Sequence, residues 1–443
     1  MVYKINFFEY HMKAYRFKTN TIITPFMEDA SESIVGFKKL REYQDTILKE
    51  VGIAVIDITD FAQIDDSNFI LFFDNVYFTR RCIRYFLNEI KKYNHSVQLA
   101  IPDSLFIKKY EPLQELKEVS SRGKKGKAYN IFFIKEKSDL NDINNIRPAF
   151  IKFREIIYRQ PIPPNMFGKK FFEQPITTSI AFHINHWVNL LNANQMEIVV
   201  KWVEYITSHP FKVFTKLTIA IFAFLIRGLI DTFRLQSISS AFSKGVFINT
   251  IMRWFNIIGK NCEIHPSAIL EFAIIGDNVK IGPQSYIRAS VINNDVIIEE
   301  KTKITFSIID KGCYISQITI LNGVVAYPDG DVCIDGMQFC LSGRNVKLTG
   351  LARPMDLKYG GRISVLYKKR PVAVNLEILG SCFGHRCFIG PDIYIAPGRE
   401  IPNDTVIVPR ISEVLYKIPE YIKPGVPMVI ENGTLVESSS EKQ

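Results

Sequence analysis

Aliphatic residues in the last third of the chain recur at a period that suits neither a helix nor an alternating strand. Isoleucines fall at 258, 264, 275, 281, 287, 292, 298, 304, 309 and 315. From Ile275 the steps are 6, 6, 5, 6, 6, 5 and 6, and Ile258, Ile275, Ile292 and Ile309 stand 17 apart. A helix repeats every 3.6 residues and a strand every 2. A triangular parallel coil fits instead: about six residues per flat face, one aliphatic side chain per face pointing to the axis, and small or turn-forming residues (Gly259, Gly276, Gly282, Asn293) at corners. One coil cannot bury its own aliphatic row, so coils must stack. The pattern returns at Ile378, Phe383, Ile389, Ile395, Ile401 and Ile407. Between the two runs, roughly 323–375, the spacing fails. Two alternating pieces there, Val332–Leu341 and Arg362–Val374, predict a β-hairpin segment looping out of the stack.

The first part of the chain is patterned differently. Runs beginning at Gly52, Asn68, Val97 and Tyr129 read as strands, and Thr79–Tyr93 reads as an amphipathic helix. Such alternation predicts a mostly parallel α/β sheet. After Pro161, Pro163 and Pro164 the chain reads as largely helical. The predicted organisation is an α/β domain over 1–140, a helical linker over 141–257, the stacked coil over 258–411 with its insertion, and an extension and tail over 412–443. The most apolar stretch, Leu217–Ile226, has ten uncharged residues. That is short of the about 20 needed to cross a bilayer. Two environments suit it: a membrane surface, with Lys212, Lys216, Arg227 and Arg234 meeting lipid phosphates, or the core, as a helix linking two domains.

Composition narrows the classes. At 443 residues, 47% hydrophobic and 23% charged, the chain is globular and long enough for two or three domains. The net charge of +10 favours acidic partners, whether phosphates, nucleotides or anionic lipid. No helix-turn-helix, zinc or RNA-binding signature accompanies it, so no nucleic-acid partner is expected. Seven scattered cysteines without a CxxC pair, and an N-terminus without an apolar signal region, suggest a reducing cytoplasm, with peripheral attachment at the inner membrane face as the variant.

The phrases IGDNVKIGPQSYI and IGPDIYIAPGREIP resemble the hexapeptide-repeat, left-handed parallel β-helix family over about 256–411. That resemblance implies acyl transfer from acyl-CoA or an acyl carrier protein, and a homotrimer. FFDNVYFTRRCIRYFLNEIKKYNHSVQLAI, with the helix-then-strand unit before it, resembles the central part of sugar-phosphate nucleotidyltransferases, a Rossmann-like fold. There the strand ends in an Asp that helps hold Mg²⁺, which points to Asp74. Active members of that family begin with a Gly-rich phosphate loop; here no glycine precedes Gly36. Mg²⁺ is therefore expected only if the domain is active. The domain order is similar to that of the bifunctional N-acetylglucosamine-1-phosphate uridyltransferases.

His385, in CFGHRCFIG, is the sharpest candidate for chemistry. The resemblance implies a general base on a sugar hydroxyl or amine, and an imidazole titrates near working pH. A corner residue with a structural hydrogen bond is the other reading. His265 reads as the start of a coil. Arg353, Arg362, Lys368, Lys369 and Arg370 cluster around the insertion, and Arg399 follows in APGREIP. Such groups suit the phosphates of a nucleotide, of CoA or of a lipid headgroup, or else simply coat a solvated hairpin. His183 and His186 share a helical spacing but have no carboxylate or thiol nearby in sequence, so buried packing is the simpler role. The expected function is acyl transfer from acyl-CoA to a sugar or nucleotide sugar in envelope glycan or lipid biosynthesis. The alternatives are a non-catalytic membrane-associated scaffold or sensor of the same architecture, and nucleotidyl transfer at the N-terminal domain.

Overall fold

The computed structural model describes residues 12–162, 170–235, 244–358, 360–410 and most of 414–438; the side chains at 160 and 231–246 fall outside the description, as do Pro163, Pro164, the side chain of Arg234 and the end of the tail. Seven strands, β1 (Lys13–Phe17), β2 (Ala54–Ile58), β3 (Phe69–Phe73), β4 (Val97–Pro102), β5 (Lys117–Ser121), β6 (Lys124–Ile134) and β7 (Arg147–Phe150), form one twisted sheet. Their order is β7-β4-β6-β3-β1-β2, with β5 paired to β6. β1 runs parallel to β2 and β3, and β7 parallel to β4. β6 is antiparallel to β3, β4 and β5. The sheet is thus mixed rather than mostly parallel. The cause is local: Arg122 and Gly123, both at positive φ, close a two-residue turn that sends β6 straight back along β5.

Helices α1 (Leu40–Glu50) and α2 (Arg80–Ile90) cover the sheet with one apolar face each. Leu40, Tyr43, Gln44, Ile47 and Leu48 of α1 are buried at the spacing of one helix face. The short helix α3 (Leu105–Tyr110) follows β4. The stretch expected to open a helical linker at 141 instead continues in strands. Ile156–Pro161 pairs with Phe171–Ile176, and Ala181–His183 pairs with Val76–Phe78. β-Branched and aromatic residues with Pro148, Pro161 and Pro175 interspersed favour extended chain over helix there.

Helix begins at α4 (Trp187–Ser208), which is buried along most of its length and joins the two halves. Asn194 bonds Ile34 O and receives Gly36 N on the sheet side, while Gln195 Nε2 donates to Gly323 O (2.7 Å) and Trp202 Nε1 to Phe272 O (3.2 Å) on the coil side. The carboxylate of Glu197, 2% exposed, accepts from Tyr43 (2.6 Å) and Tyr77 (2.5 Å).

The last third is a three-faced prism of parallel strands, eight, eight and five deep on its three faces. The 17-residue spacing is the register itself: Ile275 pairs with Ile292, and Ile292 with Ile309. Ile275, Ile281, Ile287, Ile292, Ile298, Ile304, Ile309 and Ile315 are all at most 2% exposed and fill the axis. Gly276 is needed because the next coil lies so close: a β-carbon there would sit 2.4 Å from Asn294 Oδ1.

The insertion is shorter than the spacing implied. Val325–Ala326 pairs with Ile308–Ile309, and Leu341–Ser342 with Val325–Ala326, so Gly323–Pro354 stays in the stack. That coil is one residue shorter, and Val, Met and Leu replace isoleucine at the axis, which hid it. Only about 355–379 leaves the prism, as a hairpin of Ser364–Tyr367 with Arg370–Ala373. Leu341–Ser342 then pairs with Cys382–Phe383, and the coil resumes.

The apolar stretch near Leu217 lies within α5 (Pro210–Leu235), which packs against α6 (Lys244–Trp254). It is not a core helix: Phe214, Phe222, Leu229 and Ile230 are each about 60% exposed or more, and the apolar window Pro210–Ile230 is 11% buried. The window is also twice the ten residues counted from uncharged positions. By length and composition alone it reaches what a membrane crossing requires.

Candidate functional site

His385 sits at a prism corner where the α/β half folds against it, 5% exposed. Phe26 stacks on the imidazole (centroids 4.9 Å apart) and on Tyr327 (5.6 Å). Nδ1 accepts from Arg344 N–H at 3.0 Å, so the neutral ring carries its proton on Nε2. Nε2 lies 3.6 Å from Glu28 Oε2. Arg344 Nη1 stands beside both, 3.1 Å from Nε2 and 3.0 Å from the same carboxylate oxygen. The other oxygen of Glu28, Oε1, is buried and has no hydrogen-bond partner. Buried polar atoms without partners are rare, and each asks for an explanation.

The segment carrying Phe26 and Glu28 is tied to the prism at both sides of the ring. Asn403 Nδ2 donates to Phe26 O (2.7 Å), and its Oδ1 receives His385 N–H (2.7 Å). Thr24 Oγ1 donates to Glu400 Oε2 (3.1 Å). Burial raises the carboxyl of Glu400 above the usual range, with the Thr24 bond opposing. Gly343 makes the room: a β-carbon there would meet Nδ1 and the Gly384 carbonyl carbon at 2.8 Å.

The other expected residues lie around this junction with distinct surroundings. The hairpin packs on the corner at Gly398, whose β-carbon would lie 2.9 Å from Ser364 O, placing exposed Arg399 beside it. Arg362, Lys369 and Arg370 are exposed on the hairpin. Lys368 pairs with Glu115 of the α/β half and lies over the Tyr367 ring. Arg353 rests on Tyr394 and Asp335, on the outer side of the coil. His186 is 2% exposed, holds Leu366 O of the hairpin (3.2 Å) and lies 3.9 Å from Glu400. His183 receives Asn130 N–H on Nε2 (3.0 Å) and bonds Gln114 O through Nδ1 (2.9 Å). The two histidines lie before α4 rather than on one helix face, and burial lowers both to about 4.

Asp74 follows β3 beside the end of β1, 5% exposed. Its Oδ1 accepts from Thr19 N (3.0 Å) and Oγ1 (2.6 Å). Burial nonetheless raises its carboxyl above the usual range, with the negative charge of Asp29 adding to the rise. Among the described residues no group of three His, Cys, Asp or Glu side chains is placed to hold a metal. Thr19 thus occupies Oδ1, and Asp29 is the acidic neighbour whose charge reaches Asp74.

Glu28, Arg344, Phe26 and Asn403 were not legible as site residues, being brought to His385 from far along the chain. The one local signal is the glycine pair Gly343 and Gly384, which lets two coils and an imidazole approach. No curated protein matches the chain. Residues 257–289 match the family model described as bacterial transferase hexapeptide (six repeats). With the stacked parallel strands, that match fits a left-handed β-helix and supports a transferase of the hexapeptide-repeat class.

Proposed function

We propose that the chain transfers an acyl group from acyl-CoA to a hydroxyl or amine of a sugar or nucleotide sugar, at the junction between the α/β half and the prism. The orphaned Glu28 Oε1 beside His385 carries this reading. A buried carboxylate oxygen without a donor is the place for an acceptor O–H or N–H. Arg344 Nη1 donates to the other oxygen and His385 Nε2 lies 3.6 Å from it, and the carboxylate and imidazole act as one proton-accepting unit. The acceptor oxygen or nitrogen attacks the thioester carbon, a C–O or C–N bond forms, and the C–S bond breaks. The proton taken by the pair ends on the departing CoA sulfur. Arg362, Lys369, Arg370 and Arg399, on adjoining segments, suit the CoA phosphates. Phe26 covers the ring, so turnover requires the Phe26 side chain to swing aside while Glu28 stays in place. We expect the chain to act as a homotrimer, which light scattering would read.

A second reading is favoured by one observation: the His385 ring is buried, stacked by Phe26 and met by Arg344 at both nitrogens. On that reading the same residues only lock two halves of a non-catalytic protein together. Acyl transfer to a panel of amino sugars and nucleotide sugars separates the two. On the first reading Glu28→Gln and His385→Ala each lose about 10²–10⁴ in turnover, and Phe26→Ala does not. No transfer by the native chain or by Phe26→Ala, with any donor and acceptor, supports the second.

A further inference from the structure

We propose that the α5–α6 hairpin docks on an anionic phospholipid leaflet and takes a lipid phosphate in the cleft between its two helices. Whether the junction transfers acyl groups does not affect this. The helices lie antiparallel: Phe224 meets Phe247 (centroids 5.0 Å), and Lys216 reaches Asn256 O beyond the end of α6. Between them is a cavity of about 390 Å³ lined by Ala223, Arg227, Thr250, Arg253 and Trp254. Two guanidinium groups and a hydroxyl are a phosphate-binding set. Arg253 is steadied by Glu271, 3.5 Å from its Nε. Trp254, 43% exposed, sits at the rim, where an amphipathic indole suits the headgroup level.

Apolar surface covers the side of α5 turned away from that cleft. Phe222 (64% exposed), Leu225 (48%), Leu229 (59%) and Ile230 (61%) point away from the protein. The window Pro210–Ile230 has a mean hydropathy of 2.0. Charge selects the occupant. Between Tyr205 and Cys262 the sequence has seven Lys and Arg and a single carboxylate, Asp231. A hairpin with an apolar side and this excess of basic residues complements an anionic leaflet.

The feet of the hairpin fix its topology. Trp202, one helix before α5, bonds Phe272 O; after α6, Phe255 stacks on Phe272 (5.7 Å), whose N–H bonds Met252 O (3.0 Å). Both ends therefore stand on the first coil of the prism. The hairpin enters and leaves the leaflet from one side, although α5 alone is long enough to cross.

The test is flotation of the full chain with phosphatidylcholine vesicles, with and without phosphatidylglycerol. The chain floats with the mixed vesicles, and weakly or not at all with phosphatidylcholine alone or at high salt. Phe222→Asp with Leu225→Asp abolishes flotation; both side chains are exposed, so the fold is retained by circular dichroism. Arg227→Ala with Arg253→Ala weakens binding roughly thirtyfold. If the native chain stays at the bottom with mixed vesicles, the docking proposal fails. It also fails if the Asp pair instead splits an oligomer that does not float, because the face then belongs to a second copy. If the Ala pair floats like the native chain, the cleft assignment is wrong.

Discussion

Ile297 and Ile298 are neighbours in one two-residue strand, yet they face opposite ways: Ile297 is 39% exposed and Ile298 1%. Ile298 stacks in the axis between Ile281 and Ile315. Truncating it to alanine removes three buried carbons and opens a void that the rigid neighbouring coils cannot fill, a loss of about 2–5 kcal/mol. The same change at Ile297 removes half-wet surface and costs under about 1 kcal/mol. Because each coil contacts only its neighbours, the loss is felt locally first. The amides of Gly282, bonded to Ile298 O (2.8 Å), and of Glu299, bonded to Ile315 O (2.9 Å), report it directly. In Ile298→Ala their hydrogen exchange quickens at least roughly thirtyfold, the rate equivalent of 2 kcal/mol, while Ile297→Ala leaves them within about fivefold of native. Equal effects at the two positions would refute an inward-pointing aliphatic row.

Three further outcomes follow from buried polar groups and close contacts. His183 must stay neutral, because a second ring proton would face the Asn130 N–H; its folded value is about 4 against about 6.5 unfolded, so between those values the unfolded chain holds more protons. Its contribution, about 3 kcal/mol, is complete above pH 6.5 and is lost as pH falls toward 4; urea midpoints across that range show the decline, and His183→Asn makes it shallower, leaving the share of His186. Tyr77→Phe deprives Glu197 of one of two phenol donors inside the core, so the urea midpoint drops by the equivalent of about 1.5–3 kcal/mol. An unchanged midpoint would mean that this carboxylate is satisfied otherwise. Gly343→Ala places a methyl against the Gly384 backbone and the His385 ring, costing about 1–3 kcal/mol; calorimetry shows a lowered transition, and a native one would mean that the two coils lie further apart.

The prism was legible because its signal is short-ranged and exact in phase: an inward side chain every five or six residues leaves the 17-residue register readable at Ile275, Ile292 and Ile309. Where axis positions changed to Ala326, Val332 and Met337 and a coil lost one residue, the period blurred and an insertion was inferred that the coil does not have. The sheet was legible as α/β, but its mixed order turned on a two-residue turn at Arg122 and Gly123. For α5, Lys212, Lys216 and Arg227 broke up the hydropathy of a linear reading. Wound on a helix, Lys216 and Arg227 fall together on the side that meets α6 and leave a wide apolar face exposed. At the junction, His385 could be picked out as a corner histidine. Its partners could not, since Glu28 and Phe26 lie more than 350 residues away and only the folded chain brings them to the ring.

The most direct test of the proposed chemistry is the structure of the chain with an acyl-CoA and a sugar acceptor bound. The account predicts the Phe26 ring displaced from the imidazole, the thioester carbon about 3–3.5 Å from the attacking acceptor atom, and that atom's proton directed at Glu28 Oε1 beside His385. Phe26 still stacked on the imidazole, with ligand density only elsewhere or absent at saturating concentrations, would contradict it.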